Sequence, residues 1–270
     1  MSERKNADQR ELLYARLDDL CAVAEKGEVG ISQFLTPAEA YFSELYLKRR
    51  RVSYILFGGC PAAERCRVYL LPDYMDELLT NRSDLSDGLA EYGYSLGISV
   101  LEIKGSGYKK FTHRDILGSV LSLGLERSVI GDIYVSDREE SSAIVFCDSA
   151  ISVFLEQELS RVSNDKVRVK ILEKGEWEIP ERRMQPIHDT VASPRLDAVV
   201  AALCNLSREK ASETVTSGLV ELDFESEERP DRSVSASSVI SVRGIGRFRV
   251  VSLGDKTRKG RYRLEAEKYV

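Results

Sequence analysis

Leu13, Leu17, Leu20, Val23 and Ala24 recur at helical spacing and predict an amphipathic helix over residues 6–26. A second helix opens at Thr36. Thr36 can cap, Pro37 suits the first helical position, and Glu39 stands where a capping box needs it; the helix is expected to run to Arg50. Two β-rich runs, 52–57 and 68–71, follow around Gly58-Gly59.

The middle of the chain has a cleaner rhythm. Strands are predicted at 98–103, 130–135, 143–147 and 167–172. Between them lie a helix over 112–123, capped by Thr112 with Asp115 three residues on, and a helix over 150–162 whose Val153, Phe154 and Leu159 supply apolar surface. The order β-α-β-β-α-β is that of the ferredoxin-like α/β plait, which RRM modules also use. The aromatic signature with which an RRM stacks bases is absent, so stacking on the sheet is not expected. Residues 173–189, with Pro180 and Pro186, read as an interdomain connector, and Trp177 is expected to pack against a domain.

A helical pair comes next. Ser193-Pro194 reads as a cap-plus-proline start, and Leu196, Val199, Val200 and Leu203 form one buried stripe. Ser207 can cap the second helix, with Ala211, Thr214 and Val215 facing inward and Gly218 ending it. Short strands are predicted at 219–224, 239–243, 247–253 and 261–266. The fold class is α+β.

Charge changes this picture. The 270-residue chain has a formal net charge of −5, which taken whole argues against a basic nucleic-acid binder. Yet residues 191–270 hold 14 Lys+Arg against 12 Asp+Glu, and residues 243–270 hold nine against three. An excess of +6 in those 28 residues is a candidate phosphate-facing surface, or else a solvated edge. The polar N-terminus has no signal-peptide core, and no apolar run approaches the ~18 residues of a membrane span, so a cytoplasmic protein without a membrane partner is expected. Five scattered cysteines suit a reducing compartment. Cys60 and Cys66 lack a zinc spacing, His113 and His188 are far apart, and neither a Cys–His pair nor a G-x-S-x-G elbow is present; no metal, cofactor or catalytic residue is expected.

Several motifs carry a more specific reading. Arg195-Leu196-Asp197, Leu206-Ser207-Arg208-Glu209-Lys210-Ala211, Ser217-Gly218-Leu219-Val220 and Ile240-Ser241-Val242-Arg243-Gly244 resemble the S4 RNA-binding domain. A helix N-terminus such as Ser207-Arg208 offers free N–H groups and a guanidinium to phosphate. Phe34-Leu35-Thr36-Pro37 with Glu39, Gly58-Gly59, Ala63-Glu64-Arg65, Thr112-His113-Arg114-Asp115-Ile116-Leu117-Gly118, Leu123-Gly124, Arg127 and Ile130-Gly131-Asp132-Ile133 are similar to motifs of the YlmH family of bacterial S4-domain proteins. So are 242–248 and Lys256-Thr257-Arg258-Lys259-Gly260-Arg261. The resemblance implies an N-terminal helical region with short strands (1–80), a central RNA-binding plait (81–175), a linker (176–188) and an S4 domain with a basic tail (189–270). It also implies a non-enzymatic factor that holds rRNA and tRNA on a stalled, peptidyl-tRNA-obstructed large ribosomal subunit; the sequence leaves the oligomeric state open, and a monomer is expected. The chain departs from the family at Asp223, at Ser237-Ser238 and at Cys60. An acidic Asp223 beside 225–228 would repel phosphate.

The expected RNA contacts are Arg195, Arg208, Lys210, Arg243, Arg247, Arg258, Lys259 and Arg261 in the C-terminal part. In the plait they are His113 and Arg114, at a helix N-terminus, and Lys104, Tyr108, Lys109 and Lys110, in a loop that either follows an RNA backbone or is simply mobile. Two further classes stay open. S4 domains also occur in RNA-modifying enzymes, although Arg195-Leu196-Asp197 lacks a catalytic domain around it. The acidic front could serve as a protein-binding adaptor in ribosome assembly or cell division.

Overall fold

The structure, a computed structural model, describes residues 2–79, 85–136, 141–178 and 184–269. The chain divides into two compact units, Met1–Glu181 and Arg182–Val270. The boundary expected at 80/81 lies outside the described residues.

The first unit begins with α1 (Ser2–Glu25), β1 (Gly30–Ile31), α2 (Pro37–Arg50), β2 (Tyr54–Phe57) and β3 (Arg67–Leu70). The α1 stripe runs through Leu13, Leu17, Cys21 and Ala24, whereas Val23 turns outward at 37% exposure. The capping box opens α2 as expected: Thr36 N–H donates to Glu39 Oε2 at 2.8 Å and Glu39 N–H to Thr36 Oγ1 at 3.2 Å. These helices cover an antiparallel sheet of order β1-β3-β2. A 3₁₀ turn over Asp73–Leu79 and α3 (Leu85–Glu91) follow, neither of them predicted.

Next come β4 (Ile98–Lys104), α4 (His113–Leu121), β5 (Ile130–Val135), β6 (Ser142–Asp148), α5 (Ser149–Glu158), β7 (Arg161–Val162), β8 (Asp165–Lys166) and β9 (Arg168–Leu172). The four long strands form one antiparallel sheet of order β5-β6-β4-β9. Alternation along β4 and β6 sends Leu101, Ile103, Ala143, Val145 and Cys147 toward α4 and α5, while Val100, Ile144 and Phe146 face the other way. Two expectations are corrected here. The helix expected over 150–162 ends at Glu158, because the β7-β8 hairpin turns through Ser163 at φ +54°. Val153 (54%) and Phe154 (41%) are exposed, and Leu155 and Leu159 make the inward contacts instead.

The second unit holds β10 (Met184–Val191), α6 (Leu196–Cys204), α7 (Arg208–Thr216), β11 (Val220–Leu222), β12 (Glu225–Ser226), β13 (Val239–Val242), β14 (Gly246–Lys256) and β15 (Tyr262–Tyr269). Its sheet has the order β10-β15-β14-β13-β11-β12. The stripe Leu196, Val199, Val200 and Leu203 packs on Ala211, Val215, Phe248 and Val250. The connector expected over 176–188 is corrected: from Met184 onward it is an edge strand paired along its length with β15, and 179–183 lie outside the described residues. The start of α6 also shifts. Its N-cap is Arg195, because Pro194 accepts the Val234 N–H and Arg195 bridges Ser233.

Candidate nucleic-acid interface

Asp197 is 5% exposed at the first turn of α6 and organises the second unit's charges. Its carboxylate accepts from Ala198 N–H at 2.8 Å, from Arg195 Nε at 3.3 Å and Nη2 at 3.2 Å, and from Arg208 Nη2 at 2.8 Å. Burial alone would raise its pKa, but the two guanidiniums outweigh it and hold the carboxyl below the ordinary value. Both arginine side chains stay 46% exposed. Two cations thus share one buried anion and form an oriented pair facing water, with Asp231 a further carboxylate near Arg195. Ser207 caps α7 by accepting from Lys210 N–H, and Lys210 Nζ pairs with Glu213 at 3.2 Å.

The basic tail is not one patch. Exposed Arg243 lies in the β13-β14 turn, and Arg247 sits between the Phe224 and Tyr269 rings at 5.9 and 5.8 Å. Arg258 and Lys259 occupy the β14-β15 turn, at the far end of the 11-residue β14, roughly 35 Å away along the strand. Arg261 braces that turn, donating from Nε to Thr190 Oγ1 and from Nη2 to the Thr190 carbonyl. Arg208 lies apart from Arg243 as well, since Arg243 N–H bonds Leu219 beyond the opposite end of α7, a helix of nine residues and roughly 14 Å. Asp223 accepts from Val239 N–H at 2.9 Å and from Ser238 Oγ at 3.2 Å. At φ +52° it fastens a turn, which accounts for an acid here together with Ser238.

In the first unit, Thr112 and Asp115 close the expected capping box, leaving His113 and Arg114 exposed on the first turn of α4. Hydrogen bonds from Thr112 and Ser163, with Lys109 nearby, lower the Asp115 carboxyl to about 2. Desolvation and then the Arg127 charge, against the pull of Asp132, lower the His113 pKa. Lys104 is the last residue of β4, paired on both sides, and the loop beyond it with Tyr108, Lys109 and Lys110 is anchored rather than free: Ser106 N–H donates to Asp165, Gly107 N–H to Ser141 Oγ, and Ser141 Oγ to the Lys109 carbonyl. Lys104 pairs with Glu102 at 2.9 Å and Lys109 with Asp115 at 3.6 Å, while Tyr108 is 93% exposed at the tip.

The motifs of the first unit meet at a joint that the sequence did not reveal. Arg65, 8% exposed, donates from Nε to the Ile130 carbonyl and from Nη2 to the carbonyls of Phe34 and Arg127. Asp132 accepts from Glu64 and Arg65 N–H, and Arg127 donates to the Ile130 and Gly131 carbonyls. Burial lowers both guanidiniums, Arg127 to about 10. An acid inside the apolar run of β5 was the available signal. Among the described residues, no group of three or more His, Cys, Asp or Glu side chains is placed to hold a metal, and no helix is long and apolar enough to cross a membrane.

Residues 94–176 match the family model described as "Putative RNA-binding domain in YlmH". Over 261 residues the chain is 28% identical to ribosome-associated protein quality control protein P2 of Bacillus subtilis (strain 168), covering 97% of this chain and 95% of that protein. The YlmH resemblance read from the motifs stands. A solved structure, cell division protein ylmH from Streptococcus pneumoniae, aligns with a TM-score of 0.46 and 18% identity, covering 64% of this chain and 92% of that one. The matched segment spans β4 to β9, so Lys104, the loop after it and the α4 N-terminus lie inside it.

Proposed function

We propose that this protein is a non-enzymatic, cytoplasmic, monomeric RNA-binding factor. It holds rRNA and tRNA on the large ribosomal subunit and acts in rescue of stalled, peptidyl-tRNA-obstructed particles. The observation that carries the reading is the Arg195–Asp197–Arg208 cluster, two half-exposed guanidiniums fixed on one buried carboxylate. Such a pair is built for phosphate, because its orientation is set before RNA arrives. The β5-β6-β4-β9 order with two helices on one face supports reading the centre as a ferredoxin-like plait. The α6-α7 pair on a small antiparallel sheet supports reading the second unit as an S4 domain. The alternative of an RNA-modifying enzyme would need Asp197 to reach a base. Its carboxylate is instead committed to two arginines and a backbone N–H, which supports a binding role.

The test is co-sedimentation with large ribosomal subunits. Replacing Arg195 and Arg208 with Ala should weaken it about tenfold or more, and replacing Arg247 and Arg258 should weaken it less. Unchanged co-sedimentation of both variants would remove these residues from the interface.

A further inference from the structure

The sheet face turned away from α4 and α5 is only partly covered. Its central side chain is Phe146, on which Tyr134 and Trp177 sit edge-on, with ring centres 5.9 and 5.3 Å away. The chain at Gly59 presses so close that a Cβ there would lie 2.5 Å from the Phe146 ring. At φ +99° the position also demands glycine. This contact roofs one part of the sheet.

Beside the roof lies a cavity of about 490 Å³, lined by Trp177, Leu172, Val100, Phe57, Lys174 and Ser86 among others. Ligand sites typically span about 300–1,000 Å³, so it can take a nucleoside-sized group. Its walls are mainly apolar, and the half-buried indole of Trp177 and ring of Phe57 offer aromatic planes to a planar ligand. Several lining residues, from Leu96 to Lys174, fall within the segment that matches the RNA-binding family model.

Lys174 supplies the charge. Its ammonium pairs with Asp87 at 2.8 Å, with side chains 69% and 65% exposed. A pair this exposed is worth little, so a phosphate can compete for the lysine. Lys170 and Glu176 pair with each other at 3.2 Å, and Glu173 and Glu178 flank the Lys174–Trp177 stretch.

We propose that this cavity receives a single unpaired RNA base, stacked on Trp177 with its phosphate at Lys174. Aromatic side chains beside a plait sheet are a general means of holding unstacked bases. Here the stacking group lies after the last strand instead of on the sheet. The inference rests on the RNA-binding reading above and adds the chemistry of one subsite.

Trp177 is the only tryptophan of the chain, so its emission reports on this cavity alone. Full-length protein would be titrated with labelled hexanucleotides of U and of A, following label anisotropy and tryptophan emission together. A saturable quench that tracks the anisotropy is expected. Ser86→Phe, which puts a ring into the half-buried cavity lining, should abolish the quench and weaken binding about tenfold with little change in thermal unfolding. Lys174→Gln should weaken binding a few-fold and flatten its salt dependence. Saturating anisotropy without a change in emission, or Ser86→Phe binding like wild type, would overturn the subsite. Failure of the hexanucleotides to bind while large-subunit co-sedimentation persists would overturn the subsite and leave the RNA-binding reading standing. Loss of both signals would overturn the two together.

Discussion

Arg65 and Arg208 are both guanidiniums held by hydrogen bonds, but they occupy opposite environments. Arg65 is 8% exposed and gives its donors to three backbone carbonyls on two separate segments, at Phe34 and over 127–130. Arg208 is tied to a single carboxylate and keeps nearly half of its side chain in water. A buried arginine must satisfy its charge locally, so Arg65 spends its Nε and Nη2 donors on the backbone and acts as a structural rivet. A half-exposed arginine braced by one acid keeps its outer N–H groups for a partner. The difference separates motif residues that build the first unit from those that present a surface on the second.

The largest effect is expected at the rivet. Arg65→Ala removes the partner of carbonyls from Phe34, Arg127 and Ile130 and should cost about 3 kcal/mol of stability, read as an earlier unfolding step of the first unit. RNA affinity of the protein still folded should change less than twofold. An intact unfolding step together with lost RNA binding would reverse the roles assigned to the two arginines.

Asp197→Asn should come next. It removes the anion between two cations, and because those cations are half solvated the cost should be about 2 kcal/mol. RNA affinity should fall although net positive charge increases, because the guanidiniums lose their fixed orientation. Tighter binding would show that charge alone matters.

Acid should act most weakly, and on the first unit. Folding lowers the Asp115 carboxyl from 3.8 to about 2, so its contribution is complete above about pH 4 and is lost as pH falls toward 2. Thermal unfolding followed across that window should show a decline that Asp115→Asn reduces.

Local signals were read correctly where local chemistry decides structure. The Thr36 and Thr112 capping boxes and the Leu196–Leu203 stripe lie where their spacing put them, because each depends on residues within two helical turns. The edge strand β10 was hidden because Met184–Val191 is largely exposed, contains Pro186, and pairs only with a strand at the far end of its unit. The tail's charge excess was real as a count, but β14 carries Arg247 and Arg258 to opposite ends of a sheet. The paired role of Arg195 and Arg208 was legible only as two separate basic residues. Their shared acid emerges once α6 and α7 pack.

The most direct test is the salt dependence of binding to large-subunit RNA. Wild type should show a steep linear fall of log affinity with log salt, and the Arg195→Ala/Arg208→Ala variant should have a slope shallower by about 2, roughly one for each phosphate contact removed. An identical slope in the two proteins would contradict the claim that this arginine pair faces RNA phosphate.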